Sequence, residues 1–306
     1  MILDFWIKIV KIFPRTYTYR ILTDFWQFFT ELYLYILAAI LIAALIEHSL
    51  PRIDRFRFLK SDRIWNIFAA TLLGMAAPLS VYVAVPMSAA LIASGIPLPV
   101  MVAFLFACPL IDPGLFLLTL GALGWQMALA RVLAAFSLGF GAGLLAKKFG
   151  NRLRIKPNDN LTAFPEKHSG GSRQRGLINL VWRRGIFIVK IFSVSLLLSS
   201  AIKALVSPEY VRSLLGGPGN FSILLAIGLG IPFYQCGGAS IPIMEALYEL
   251  GMSKGAILAF FISGPATKIP AIYAFSEGYG IRFLLFYLLY TLSGAFAAGI
   301  IFNLIR

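Results

Sequence analysis

The residues best equipped for chemistry lie in Tyr234-Gln235-Cys236-Gly237-Gly238-Ala239-Ser240-Ile241-Pro242, where a thiol, an amide, paired glycines and a hydroxyl precede a proline that opens a helix. Gly237 and Gly238 reach backbone angles denied to other residues, so they can present amide N–H groups beside the positive end of the following helix. An anion or a soft electrophile suits such a turn. The alternative is architectural: the glycines only let helices cross closely. Glu245, one turn beyond Pro242, is the candidate proton-carrying carboxylate. Glu249, four residues further on the same face, sits near the helix tip and reads as solvated. Asp112, in Cys108-Pro109-Leu110-Ile111-Asp112-Pro113, is the one carboxylate between Ile64 and Leu145. An ionisable residue in so apolar a stretch is a functional candidate by default.

These positions are held by a chain that contains much of itself twice. Pro86 to Gly143 laid on Pro242 to Gly299, a spacing of 156 residues, matches at fourteen of 58 positions, including Pro86, Gly95, Pro109, Gly124 and Gly143. Shared apolar composition yields some matches, but paired Pro and Gly at breakpoints are harder to obtain by chance. A duplicated unit with matched helix breaks is the mark of a secondary transporter. The same spacing carries Asp112 onto Lys268, so opposite charges occupy equivalent positions and are expected to offset each other's desolvation. A purely structural ion pair locking the two breaks together is the competing reading.

Composition sets the medium. The chain has 306 residues, 59% hydrophobic and 13% charged, with a mean hydropathy of +0.84. A soluble domain of this length could not hide so much apolar surface. The net charge of +14 is unevenly placed: five basic residues lie between Arg52 and Arg63 and ten between Lys147 and Arg184. That is the distribution of cytoplasmic loops, and no basic recognition element for nucleic acid accompanies it. Arg131, Lys190 and Lys203 fall inside apolar segments and are read as snorkelling or paired. Cys108 and Cys236 lie in separate apolar segments, so the sequence offers no disulfide framework or zinc-ligand spacing, and His48 and His168 lack partners for a metal. Cys108, a lone cysteine in an apolar segment, reads as a small core filler.

The punctuation predicts an all-α polytopic membrane protein of about ten membrane helical segments in two inverted repeats, with broken helices or re-entrant hairpins. An N-terminal interfacial segment covers residues 1–31 and the first membrane repeat residues 32–146. A basic cytoplasmic linker covers 147–184 and the second repeat 185–306. The stretch Ser207 to Asn220 corresponds to the basic loop Arg52 to Arg63 yet holds only Arg212, so the two belong on opposite faces and the repeats are inverted. The half-length stretches Pro86 to Gly95 and Pro97 to Cys108 cover about half of a ~30 Å hydrocarbon core. Gly95 and Gly251 then mark tips near a membrane face, and Pro86, Pro109, Pro113, Pro242 and Pro265 mark helix breaks near the midplane. Gly139, Gly141 and Gly143, with Ala295, Ala297 and Gly299 as equivalents, form small-residue faces for close helix packing.

Tyr-x-Cys-Gly-Gly-x-x-Ile-Pro from Tyr234, followed by Gly251-Met252-Ser253-Lys254-Gly255-Ala256 and Gly264-Pro265-Ala266-Thr267-Lys268-Ile269, resembles the predicted-permease family that includes the organoarsenical efflux permeases. The likeness covers most of both halves and is strongest from Ile231 to Ile269. It implies a polytopic permease. In the first half many members carry Cys-Ser-Cys where this chain has Ser80, Val81 and Tyr82, so the thiol pair expected to grip trivalent arsenic is absent. The family's usual Asn is here Asp112, and its usual Ser is Cys108.

The expected activity is that of an integral membrane permease, proton-coupled and exporting, that moves a small solute by alternating access. An anion, a metalloid or an organoarsenical species fits the site. Substrate contacts are expected from Gln235, Cys236, Gly237, Gly238, Ser240, Ser80 and Thr267, and ion coupling from Asp112, Lys268 and Glu245. A passive pore lined by the broken helices is the alternative. No nucleotide-binding pattern, no metal site and no catalytic constellation is apparent, so neither a cofactor nor an enzyme activity is expected. The expected partners are a small-molecule substrate and the lipid bilayer of the cell's inner (plasma) membrane, which the chain crosses several times. Homo-oligomerisation is left open.

Overall fold

A computed structural model describes residues 23–27, 29–30, 32–38, 41, 59–77, 79, 81–153, 177–217, 219–230, 238 and 240–305. Helical turns between residues 23 and 41 are followed by α1 (Ile64–Ala76), α2 (Val81–Ala93), α3 (Leu98–Ala107), α4 (Pro113–Leu153) and α5 (Leu177–Leu205). Then come α6 (Pro208–Leu215), α7 (Asn220–Gly230), α8 (Ser240–Glu249), α9 (Lys254–Ala266), α10 (Ile269–Tyr279) and α11 (Ile281–Leu304). Prolines open several of these helices, as Pro113 and Pro208 do at the first position, where a missing N–H costs nothing. Ser253 caps α9, accepting from the Ala256 N–H at 3.3 Å.

The helices recur at the spacing that the sequence shows. Adding 156 carries α1 onto α7, α2 onto α8, α3 onto α9, and α4 onto α10 and α11 together. α4 bends at Gly124, where the second unit breaks between α10 and α11 at Gly280. The positive-φ glycines fall into two equivalent pairs, Gly95 with Gly251 and Gly124 with Gly280.

Packing inside the units repeats as well. Gly143 faces Ile67, Ala103 and the Pro99 carbonyl, while Gly299 faces their equivalents Ile223, Ala259 and the Gly255 carbonyl. Gly74 meets Ala107 and Cys108, and Gly230 meets Ser263 and Gly264. The small residues let α1, α3 and α4 approach backbone to backbone, and likewise α7, α9 and α11. α3 and α9 are buried along almost their whole length, as a helix apolar on every side must be. At 10 and 13 residues they reach roughly 15 and 20 Å, short of a ~30 Å hydrocarbon core.

Between the units the contacts are reciprocal: α10 packs on α2, and α4 packs on α8. Where α4 meets α11, Leu138 lies against Gly294, its own equivalent, and Gly141 faces the Tyr290 hydroxyl.

α4 over Pro113–Gly150 and α11 over Ile281–Leu304 are long and apolar enough to cross a bilayer. Counting two bent pairs as single spans, 193–205 with 208–215 and 254–266 with 271–279, raises the number of candidate spans to four, beside shorter apolar helices. Trp125, Leu129 and Leu133 form an outward stripe on α4, and their equivalents Ile281, Leu285 and Leu289 form one on α11, each residue between 44% and 70% exposed. Apolar stripes of that extent are at home in lipid.

Several local expectations are corrected. Pro86 lies inside α2, which starts five residues earlier, and does not break it; Pro265 is the penultimate residue of α9, just before a 51° bend toward α10. The interruptions instead follow the glycine tips at Gly95 and Gly251 and the turns at residues 108–112 and 267–268. The polar stretch after Val206 contains α6, which Ser207 and Pro208 start at 99° to the end of α5. α4 and α5 also run into both ends of the basic linker, of which residues 154–176 lie outside the described residues, as do residues 1–22 of the N-terminal segment 1–31.

Candidate functional site

The break before α8 is built by three helix ends. The Gly238 carbonyl accepts from the Ile241 N–H at 3.2 Å, a turn that leads into α8 with Ser240 buried at its first position. Pro242 sits in the first turn, where its missing N–H removes no helical bond. Its carbonyl accepts from Ser199 Oγ of α5 at 2.7 Å. Thr267, which ends α9, donates from Oγ1 to the Ser263 carbonyl at 3.0 Å, with the Gly230 carbonyl at 3.5 Å. The ends of α7, α8 and α9 therefore bracket residues 231–237. Gln235, Cys236 and Gly237 are among these and lie outside the described residues.

The break before α2 is bracketed in the same manner. Cys108, buried at the end of α3, points its Sγ at the carbonyls of Leu79 and Ala77, at 3.5 and 3.8 Å. The thiol thus closes on backbone of the α1–α2 connection, next to Ser80, which lies outside the described residues. Pro109 lies in the turn leaving α3, and Pro113 opens α4.

Asp112 and Lys268 occupy the capping positions of equivalent helices. Asp112 Oδ1 accepts from the Leu115 N–H at 2.9 Å, so the carboxylate caps α4 and meets the positive end of its dipole. Lys268 stands at the start of α10 without a side-chain capping bond. Glu245 is buried in α8. Glu249 is not simply solvated: it pairs with Lys203 of α5 at 2.5 Å. The side chain of Lys190 lies outside the described residues.

Arg131 is the residue that sequence reasoning undervalued. It does not snorkel: it is 3% exposed, donates from Nη1 to Thr119 Oγ1, and reaches the Leu110 carbonyl at 3.4 Å from Nη2. The guanidinium lies 4.1 Å from the centre of the Phe261 ring, and Asp112 acts on it electrostatically. A buried arginine held this way joins the α3–α4 turn to the second arm of α4. Its equivalent, Tyr287, packs on Phe275 at 4.3 Å, and Phe275 is the equivalent of Thr119. One contact thus appears twice, ionic and polar in the first unit and aromatic in the second. Among the described residues, no cluster of His, Cys, Asp or Glu could hold a metal ion.

Broken helices of matched form and apolar outer stripes are the features of a helical membrane protein. The predicted-permease family matches residues 19–304, and the chain belongs to that family. A UPF0718 protein of Methanocaldococcus jannaschii is 30% identical over 112 residues, which cover 35% of this chain and 31% of that protein. No solved structure matches. Membership of a predicted-permease family supports a membrane transporter in general character, and the chain spans about a third of the length of the curated relative it matches.

Proposed function

We propose that the protein is a secondary permease of two inverted repeats that exports a small solute by alternating access, coupled to protons. The observation that carries this reading is the meeting of Leu138 with Gly294. A residue that touches its own equivalent lies on the axis relating the two units. Gly141, three residues further along α4, faces Tyr290, four residues back along α11. The two helices thus run in opposite directions about an axis perpendicular to both, and two such helices crossing a bilayer place that axis in the membrane plane. The positive loops 52–63 and 147–184 then face the cytoplasm of an inner-membrane, multi-pass protein.

In this reading the solute contacts are those the sequence suggests, Gln235, Cys236, Gly237, Gly238 and Ser240, together with Ser80 and Thr267. Exposed amides and one thiol suit an oxyanion, or a metalloid or organoarsenical carrying an exchangeable oxygen ligand. Asp112, Lys268 and Glu245 are the coupling groups, since protonation of a carboxylate beside a buried cation changes the cost of moving either through the membrane.

Purified protein in liposomes, given inorganic phosphate or trivalent methylarsenite and an imposed pH gradient, tests the function. Saturable flux that follows the gradient, and is lost on replacing Gly238 by Val, is the expected result. Flux that rises linearly with concentration and ignores the gradient would make the protein a pore.

A further inference from the structure

Most of the buried hydroxyl groups among the described residues are hydrogen-bonded. Thr71, Thr119 and Thr267 each donate to the carbonyl four residues back, at 2.8, 2.6 and 3.0 Å, and Ser88 is bonded to Tyr279 at 2.5 Å. Two hydroxyls on α11 break this pattern. Tyr287 is 0% and Thr291 1% exposed, yet neither hydroxyl has a hydrogen-bond partner. A helical threonine can bond the carbonyl one turn back, as the other three do, and Thr291 does not. A buried hydroxyl without a partner costs stability, so the pair calls for an occupant.

Tyr287 lies where the two interruptions of the first unit converge, and Thr291 follows one turn further along the same face of α11. Cys108, at the end of α3, closes on the Leu79 and Ala77 carbonyls of the α1–α2 connection and also acts electrostatically on the Tyr287 hydroxyl. Phe106, two residues earlier, holds the Tyr287 ring at 4.9 Å and the Tyr290 ring at 5.6 Å. A helix of the second unit thus carries both hydroxyls past the broken backbone of the first.

Arg131, the equivalent of Tyr287, reaches into the same α3–α4 turn. Its direct contacts are a hydroxyl, the Leu110 carbonyl and the Phe261 ring, all uncharged, and they spend one N–H of each terminal nitrogen. Asp112 acts on it electrostatically while Oδ1 accepts from the Leu115 N–H. The unmet need of these side chains is therefore for acceptors: the two hydroxyl protons and the remaining guanidinium N–H groups lack them.

We infer that Tyr287 and Thr291 are solute-binding residues, and that the solute they take is a small oxyanion whose charge the Arg131 guanidinium offsets. This rests on the permease reading above and narrows the solute classes named there to one. An oxyanion accepts at every oxygen, whereas a neutral hydroxylated solute would bring donors of its own to a turn already short of acceptors.

Thermal unfolding of the full chain in detergent, titrated with sodium phosphate or sodium sulfate at constant ionic strength, tests the site apart from transport. At least one of the two anions should raise the unfolding temperature of the native chain saturably. Tyr287→Phe and, independently, Thr291→Val keep the shape and delete only the hydroxyl, so without anion each should be at least as stable as the native chain. Each should also weaken the apparent affinity for the anion by at least about tenfold, the worth of a hydrogen bond to a charged group. A merely structural hydroxyl gives the reverse, and either a fall in anion-free stability or an unchanged affinity overturns the proposal. Protection of the native chain by neither anion would leave an internal water as the occupant and overturn it as well. Failure of the permease reading would appear separately, as anion binding without gradient-driven flux in liposomes.

Discussion

Gly124 and Gly280, 156 residues apart, hold the same backbone conformation: φ 79° and ψ 173° at the first, φ 82° and ψ 168° at the second. That region is all but closed to residues with a Cβ, at a cost on the order of 1–3 kcal/mol. At neither glycine would an added Cβ meet a neighbour within 4 Å, so the backbone alone demands glycine. Gly124→Ala and Gly280→Ala should each lower unfolding free energy in detergent by about 1–3 kcal/mol, and by similar amounts, since the two sites carry the same strain. Loss at one site only would mean the bends are not equivalent devices.

Close packing predicts a second pair of effects. A Cβ at Gly143 would lie 2.5 Å from Ile67 and 2.8 Å from Ala103, and one at Gly299 would lie 2.8 Å from the Gly255 carbonyl. Gly143→Ala should cost about 1–3 kcal/mol of stability through overpacking, measured by thermal unfolding in detergent. Gly150→Ala, whose nearest contact would be 3.8 Å away, serves as the neutral control.

Arg131 and Asp112 flank the same α3–α4 turn and can be tested for coupling. Arg131→Met removes the bond to Thr119, the reach to the Leu110 carbonyl and the contact with the Phe261 ring, and should cost about 1–3 kcal/mol. Adding Asp112→Asn should recover part of the loss. Arg131→Lys should not rescue, because an ammonium cannot keep the Thr119 bond, the Leu110 carbonyl and the Phe261 face together. A double-mutant cycle read by unfolding measures the coupling, and strict additivity would show that the two charges act separately. The same cycle on Asp112 and Lys268 measures the coupling proposed between the two capping positions.

The ion pair between Lys203 and Glu249 should matter little to stability. Both side chains are partly exposed, 28% and 42%, which places the pair in the range of roughly 0–1 kcal/mol. Lys203→Met combined with Glu249→Gln should unfold within that range of the native protein. A larger loss would mark the pair as a structural lock between α5 and α8.

What the sequence made legible follows from what repeats in it. Gly95, Gly124 and Gly143 recur at 251, 280 and 299, and each pair keeps its conformation or its neighbours in the fold, because backbone sterics are written in the glycine itself. Proline was a poorer guide. Pro86 read as a break but sits inside α2, where surrounding helices sustain a lost backbone bond. Arg131 and the contact of Ser88 with Tyr279 were not legible, since both depend on which helix faces which. Spacing alone does not carry that. The one available signal for Tyr279 was its place beside a repeated glycine.

The central claim, two inverted repeats of a permease, is tested most directly by the sidedness of three loops. Single cysteines at 57, 160 and 213, in a background with Cys108 and Cys236 replaced, can be labelled with an impermeant thiol reagent in right-side-out and inverted vesicles. The account predicts that the sites at 57 and 160 react only from the cytoplasmic side and the site at 213 only from the opposite side. Labelling of 213 from the same side as 160 would contradict it.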